Sequence, residues 1–271
     1  MQITKQTKAN LDIFQRRKIT YTLVFLVLIA VFAGASLVSE FNLLDGVASF
    51  PAAMQWIISN LIPDAEAIER IPKILSELME TALVSVAVTV VAAVLAFFFS
   101  LLGSNITRVN RVVKRVVRIT YFDVFFRNVP DVVWAMLLMF SFGQNILTGF
   151  FALFFTTFGL LTRAFIETID EVSSGCVEAL DATGANFLQK VFQGILPSSM
   201  PGVITWVLYM IETNIRSSTL IGILTATGIG YLFDLYYKRL DFASASLVVL
   251  SIVVLVLVIE TVSNKVRKVI L

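Results

Sequence analysis

The chain has 271 residues, of which 58% are hydrophobic and only 15% charged, where a soluble domain carries roughly 25% charged residues. A formal net charge of +2 is too small to argue for a nucleic-acid partner. The single cysteine excludes an intrachain disulfide, and the lack of histidine removes the commonest general base and metal ligand.

Apolar residues come in blocks that approach the ~20 residues a spanning helix needs, without the alternation of a barrel strand. The expected class is therefore an all-α membrane protein. Residues 1–18 form a basic N-terminal segment with Lys5, Lys8, Arg16, Arg17 and Lys18, and residues 19–271 read as one transmembrane domain. Six transmembrane helices are expected, at 19–38, 79–102, 130–148, 150–169, 202–221 and 242–262. The first has a second reading as a signal peptide, with Ala33-Gly34-Ala35 as a cleavage site. Its apolar run continues through Val38, beyond the usual ~7–15 residue signal core, which favours a retained anchor. The loop that follows contains Trp56-Ile57-Ile58 and Ile71-Pro72, which fit an interfacial helix. Only Gly143-Gln144-Asn145 and Gly149 separate the third span from the fourth, so these two are expected to form a tight hairpin.

Lys and Arg in short loops set orientation. The N-terminal cations, the group Arg108, Arg111, Lys114, Arg115, Arg118 and Arg127, and the group Lys265, Arg267 and Lys268 fall on one side of a six-span chain. Residues 40–77 hold Arg70 and Lys73 against six acidic residues. Both termini and the loop at 170–200 are therefore expected in the cytoplasm.

That loop is the most polar stretch between two spans. Leu180, Gly184, Phe187, Leu188, Val191 and Ile195 recur at helical spacing, with Glu178, Asp181, Asn186, Gln189 and Lys190 directed mostly elsewhere. Gly184 fits a turn between two short helices or a close backbone approach. Leu196-Pro197 is expected to stop the helix before the next span. The plain reading of such an element is a cover over the ends of the membrane helices; the functional one is a docking surface.

Glu212, Asn214 and Arg216 lie within the fifth span, where an ionisable group costs about 2.5–3.5 kcal/mol unless it faces protein or water. Glu212 and Arg216, four apart, either neutralise each other as a packing pair or hold a guanidinium ready for an oxyanion. Tyr121, Asp123, Arg127, Asp131 and Trp134 read as interfacial residues, Cys176 as a small packing residue, and Gly222, Gly228 and Gly230 as the mark of a broken helix. No phosphate loop G-x-x-x-x-G-K-[ST] occurs, so ATP hydrolysis would require a separate chain.

Glu178-Ala179, Gly184 and Leu196-Pro197 resemble the signature E-A-A, three residues, G, nine residues, I-x-L-P of ABC importer permeases. Leu180 stands where that pattern has alanine and Gly194 where it has isoleucine, with Ile195 one place late. Arg127-Asn128-Val129-Pro130-Asp131-Val132-Val133-Trp134-Ala135, the run 178–185 and the run 212–222 are similar to three segments of the phosphonate transporter permease subfamily. Thr225-Ala226-Thr227 replaces part of its glycine-rich run before Gly228-Ile229-Gly230, and there is fainter likeness at Glu80-Thr81 and Asn105.

The resemblance implies a type I (MetI-like) importer permease fold in the plasma membrane, multi-pass and not an enzyme. It implies import of phosphonate or a related phosphorus oxyanion by alternating access. Glu178, Ala179, Leu180, Gly184, Leu196 and Pro197 would form the ATPase-coupling element, with Glu212, Asn214 and Arg216 as candidate pathway residues. Implied partners are ABC ATPase subunits carrying ATP-Mg, a second permease subunit (the same chain or a paralogue), an extracytoplasmic substrate-binding protein and membrane lipid. No cofactor is implied on this chain. A channel or ion-coupled transporter would leave the signature loop unexplained, and a membrane-embedded enzyme lacks convergent catalytic groups.

Overall fold

The computed structural model describes residues 13–106 and 129–270, all of its regular structure helical. Arg127 and Asn128, the start of one resemblance segment, lie outside the described residues, as do Lys5, Lys8, Tyr121, Asp123 and the cations at 108–118. The chain divides after Ser59 into two units.

The first unit holds α1 (Ile13–Val38) and most of α2 (Leu43–Asn60). From Gln15 onward α1 is apolar and long enough to cross a bilayer. In α2, Leu43, Val47, Phe50, Met54, Ile57 and Ile58 recur along one stripe, and none of its residues is buried.

The second unit begins with α3 (Ala65–Glu69), capped by Asp64 accepting from the Ala67 N–H at 2.7 Å. Next come α4 (Ile71–Gly103), α5 (Asp131–Phe142), α6 (Ile146–Val172), α7 (Ser174–Ala182), α8 (Phe187–Lys190), a π-helical turn at Val191–Ile195, and α9 (Leu196–Thr225). The unit closes with α10 (Gly228–Lys238) and α11 (Phe242–Ile270). Its centre is the seam where α4, α6 and α9 meet. Ala92 and Ala96 of α4 let the backbones approach, and Phe158, Leu161, Phe165, Val203 and Met210 fill the remaining space.

Five of the expected spans are long and apolar enough to cross a membrane, but the third is shorter than expected. As α5 it runs for 12 residues, about 18 Å, against a hydrocarbon core of about 30 Å. Pro130 opens it, and Gly143, at φ +73°, ends it in a conformation that favours glycine. The hairpin to α6 forms as expected. Asn145 caps α6 by accepting from the Thr148 N–H at 2.9 Å, and Trp134 meets Phe155 with ring centroids 5.0 Å apart.

The glycines at 222, 228 and 230 do mark a broken helix. Ala226, in the left-handed conformation at φ +56°, ends α9, and α10 restarts two residues later. Gly222 and Gly230 let the two helices touch backbone to backbone: a Cβ on Gly222 would lie 2.5 Å from the Thr227 carbonyl oxygen. Thr81 of α4 accepts from the Ile229 N–H at 2.9 Å and ties the restart to the core. Since a left-handed non-glycine residue costs on the order of 1 kcal/mol, Ala226→Gly is expected to raise thermal stability slightly. A lowered melting temperature of the purified chain would contradict that account.

A polar clasp joins α3 to the α10–α11 corner. The Arg70 guanidinium donates to Asp241, to the Ser244 hydroxyl at 2.7 Å and to Glu66 at 2.7 Å, and lies 5.2 Å from the Tyr236 ring centroid. Burial pushes the Asp241 carboxyl up, but the Ser244 backbone N–H and the Arg70 guanidinium outweigh it and hold the pKa below the usual carboxylate value. The clasp's contribution is therefore full above pH ~4 and is lost only as pH falls through the lowered value. Hydrogen-exchange protection across α3, corrected for intrinsic rates, is expected to be the same at pH 5 and pH 7. Loss of protection already at pH 5 would show that Asp241 is not held down.

Candidate functional site

The loop at 173–197 is built by local rules. At the end of α7 the Ala185 N–H donates to the Leu180 carbonyl at 3.1 Å and the Gly184 N–H to the Asp181 carbonyl at 3.0 Å. This paired closure needs a left-handed residue, and Gly184 supplies it at φ +78°. The chain then re-enters helix through a capping box: Asn186 accepts from the Gln189 N–H at 2.9 Å, and the Gln189 side chain accepts from the Asn186 N–H at 2.8 Å. An ion pair between Asp181 and Lys190, both mostly buried, bridges the turn. The expected turn between two short helices is therefore present at Gly184.

Pro197 does not stop the helix. From Phe187 to Thr225 the chain is helical without a break, and Pro197 sits in the first turn of α9. A proline ring normally collides with the carbonyl four residues back, here that of Gln193 in the preceding turn. The π-helical turn at Val191–Ile195 widens the spiral at that point and accommodates it.

The two departures from the signature, Leu180 and Gly194, meet in space. A Cβ on Gly194 would lie 2.9 Å from Leu180 Cδ1, 3.5 Å from Cys176 Sγ and 3.6 Å from Val177 Cγ2. The leucine fills the room that the glycine leaves, so α7 is seated on the π-turn. Val177, Val191 and Ile195 are buried beneath, against Leu101 and Ile169. Asp170 accepts from Ser104, from the Asn105 N–H at 2.8 Å and from the Asn105 side chain at 2.6 Å, fixing the ends of α4 and α6 at the same place. The inner face of the loop thus covers the ends of α4 and α6, while on its outer side Glu178 and Ala179 are exposed, with Phe187 at 44%, Leu188 at 62% and Phe192 at 64%. Phe187, Leu188 and Phe192 form an exposed apolar knob on the loop.

The fifth-span residues separate onto two faces. Glu212 and Arg216 pair at 3.1 Å, with the Glu212 side chain mostly buried and that of Arg216 52% exposed. Asn214 is buried and turned the other way. Its amide donates to Thr89 of α4 at 2.9 Å and to Thr157 of α6 at 2.9 Å, while the Ser85 hydroxyl meets that of Ser218 at 2.9 Å. Asn214 is thus a hydrogen-bonded bolt through three helices. A cavity of about 30 Å³ at the α9–α10 break, lined by Glu80, Thr81, Ser218, Thr227 and Gly228, has room for a water.

Sequence reasoning passed over a second ion pair within an expected span. Arg163 and Glu167 of α6 meet at 2.7 Å, their side chains 44% and 61% exposed. The signal was available as Arg-x-x-x-Glu inside an otherwise apolar span, the same i,i+4 spacing as Glu212 and Arg216.

Residues 97–270, which contain the loop, the knob and both ion pairs, match the family model of the binding-protein-dependent transport system inner membrane component. The chain belongs to this family. As an importer permease it is a multi-pass membrane transport subunit and not an enzyme.

Among relatives of the permease, the chain is 35% identical over 117 residues to a putative cryptic phosphonate transport system permease protein, PhnE2, of Escherichia coli K12. That match covers 43% of this chain and 96% of the relative. It is 28% identical to a putative phosphite transport system permease protein, HtxC, of Stutzerimonas stutzeri, covering 83% of this chain and 78% of that one. It is 32% identical to a phosphate-import permease protein, PhnE, of Mycolicibacterium smegmatis, over 52% of this chain but only 26% of the relative's length. The fold is similar to that of the MetNI methionine ABC transporter, solved in inward-facing conformations, at TM-score 0.64 and 19% identity, covering 77% of this chain and 99% of that one. An amino acid ABC transporter gives TM-score 0.63 at 16% identity, covering 74% of this chain and 95% of that one.

Proposed function

We propose that this permease carries phosphonate, phosphite or phosphate across the plasma membrane by alternating access, driven by a separate ATPase that grips the loop at 178–197. The substrate class rests on the relatives' names, each given for a phosphorus oxyanion. The observation that carries the coupling is the exposed knob of Phe187, Leu188 and Phe192, on a loop whose Glu178 is also exposed and whose π-turn runs directly into the span α9. A groove on an ATPase subunit would bury these apolar side chains, and Leu180, Gly184, Leu196 and Pro197 hold them in place. Two permease subunits, identical or paralogous, would enclose the path, and an extracytoplasmic binding protein would deliver the anion. Arg216, restrained by Glu212, would meet it on the way. Asn214 belongs to the frame behind that pair.

Glu178→Lys and Gly184→Asp are expected to abolish co-purification with the partner ATPase and uptake of methylphosphonate, leaving the chain in the membrane. The first reverses an exposed charge on the loop, and the second loads a strained left-handed position. Survival of both association and uptake in both variants would rule out coupling through this loop.

A further inference from the structure

We infer that Arg163, with Glu167, is a second oxyanion station on the same path as Arg216, one level nearer to the coupling loop. The inference rests on the proposed transport of a phosphorus oxyanion and adds a site to it.

The two pairs share a face. Helix α4 covers one side of the α6–α9 pair, with Phe97 against Phe165 and Phe99 against Phe158 on α6, and Thr89 and Ser85 against Asn214 and Ser218 on α9. Arg163 is two residues from both Leu161 and Phe165, and Arg216 two residues from both Asn214 and Ser218. Two residues turn a helix by about 200°, so both arginines point away from α4. Tyr209 and Trp206 are exposed on the same stripe of α9, 5.9 Å apart by ring centroid.

The two pairs also share a polarity. Thr157 and Asn214, hydrogen-bonded at 2.9 Å, mark one level on the antiparallel helices. From that level Arg216 lies two residues away from the loop and Arg163 six residues towards it, a separation of about 12 Å along the axis. In each pair the arginine is on the side far from the loop and the glutamate on the loop side, because the order of the two residues reverses with helix direction.

An exposed ion pair at membrane depth faces water or protein, since contact with lipid costs several kcal/mol. On the proposed path that surrounding is water, and two such pairs on one face form a wet stripe. A guanidinium offers a fork of donors that fits a phosphorus oxyanion, and the glutamate four residues on competes for the same donors. An anion therefore displaces its glutamate on arrival and is released when the glutamate returns. Two stations of this kind divide the crossing into short steps, and neither holds the anion fast.

The test uses the complete transporter (this permease with its ATPase and binding protein) in proteoliposomes, with uptake of methylphosphonate, phosphite and phosphate measured as a maximal rate. If the wild type moves none of them, the proposed function fails before the station is in question. Given wild-type uptake, Arg163→Gln is expected to lower the rate at least tenfold with assembly unchanged on gel filtration, and Arg163→Lys to lower it less. The doubly exchanged variant Arg163→Glu/Glu167→Arg keeps an ion pair but reverses its polarity. It is expected to stay slow, whereas full recovery would make the pair a packing device and overturn the inference. A measurement independent of folding in that variant uses Tyr209→Cys with Cys176→Ser. The thiol, level with Arg163, is expected to react about tenfold faster with an anionic methanethiosulfonate than with a cationic one, and Arg163→Gln to erase the difference. Protection of this thiol from both reagents would show the face to be dry and the station absent.

Discussion

Gly230→Ala is expected to be the most damaging single-methyl change in the chain. A Cβ there would run into the Thr219 carbonyl oxygen and lie 2.8 Å from the Ile223 nitrogen, all backbone of α9. A flexible side chain could swing aside, but a helix backbone cannot, so α10 must move off α9. The overpacking penalty is therefore at the high end, about 3 kcal/mol or more. Separation would also pull Ile229 from Thr81, removing the hydrogen bond that anchors α10 to α4. The purified variant is expected to lose its monodisperse peak on gel filtration or to melt well below wild type. Gly175→Ala, where a Cβ has nothing within 4 Å, is the control and should be silent. Equal stability of the two variants would refute the backbone-contact account.

The second large effect is a rescue. Leu180→Ala empties the notch over Gly194 and is expected to cost about 2 kcal/mol, the low end for a leucine truncation because the site is half-buried. Gly194→Ile drives a branched side chain against Leu180, Cys176 and Val177, at about 1–3 kcal/mol. Together the changes place alanine and isoleucine where the importer signature has them, and the small residue makes room for the large one. The double variant is expected to recover at least 1 kcal/mol relative to the sum of the singles, and to regain ATPase binding that each single weakens. Additive losses in melting temperature would show that the two residues do not share one space.

Some of this architecture could be read directly in the chain, and the reason is local. The turn at Gly184 and the break near Gly228 follow from residues that tolerate left-handed backbone, and the α5–α6 hairpin from the short Gly143-Gln144-Asn145 link. What escaped depends on contacts between distant residues or on a rarer backbone form. Pro197 signals a helix end unless the turn before it is π-helical, which no single residue announces. Leu180 and Gly194 read as two separate departures until folding places one inside the other. Arg70 and Asp241 are 171 positions apart, so their clasp has no sequence period. Asn214 stood with Glu212 and Arg216 as a candidate pathway residue, and folding turns it to the opposite face of the helix, hydrogen-bonded to Thr89 and Thr157, because two residues along a helix is about half a turn.

The unbroken run from Phe187 to Thr225 is a rod of 39 residues, about 58 Å long. It is pinned by the Asn214 hydrogen bonds to α4 and α6, about 40 Å from the knob end and about 17 Å from the glycine break. If the loop at 178–197 couples to an ATPase as proposed, movement at the knob would reach the glycine break through this one helix, and would have to slide or bend it where Val203, Met210 and Ile221 pack against α4 and α6.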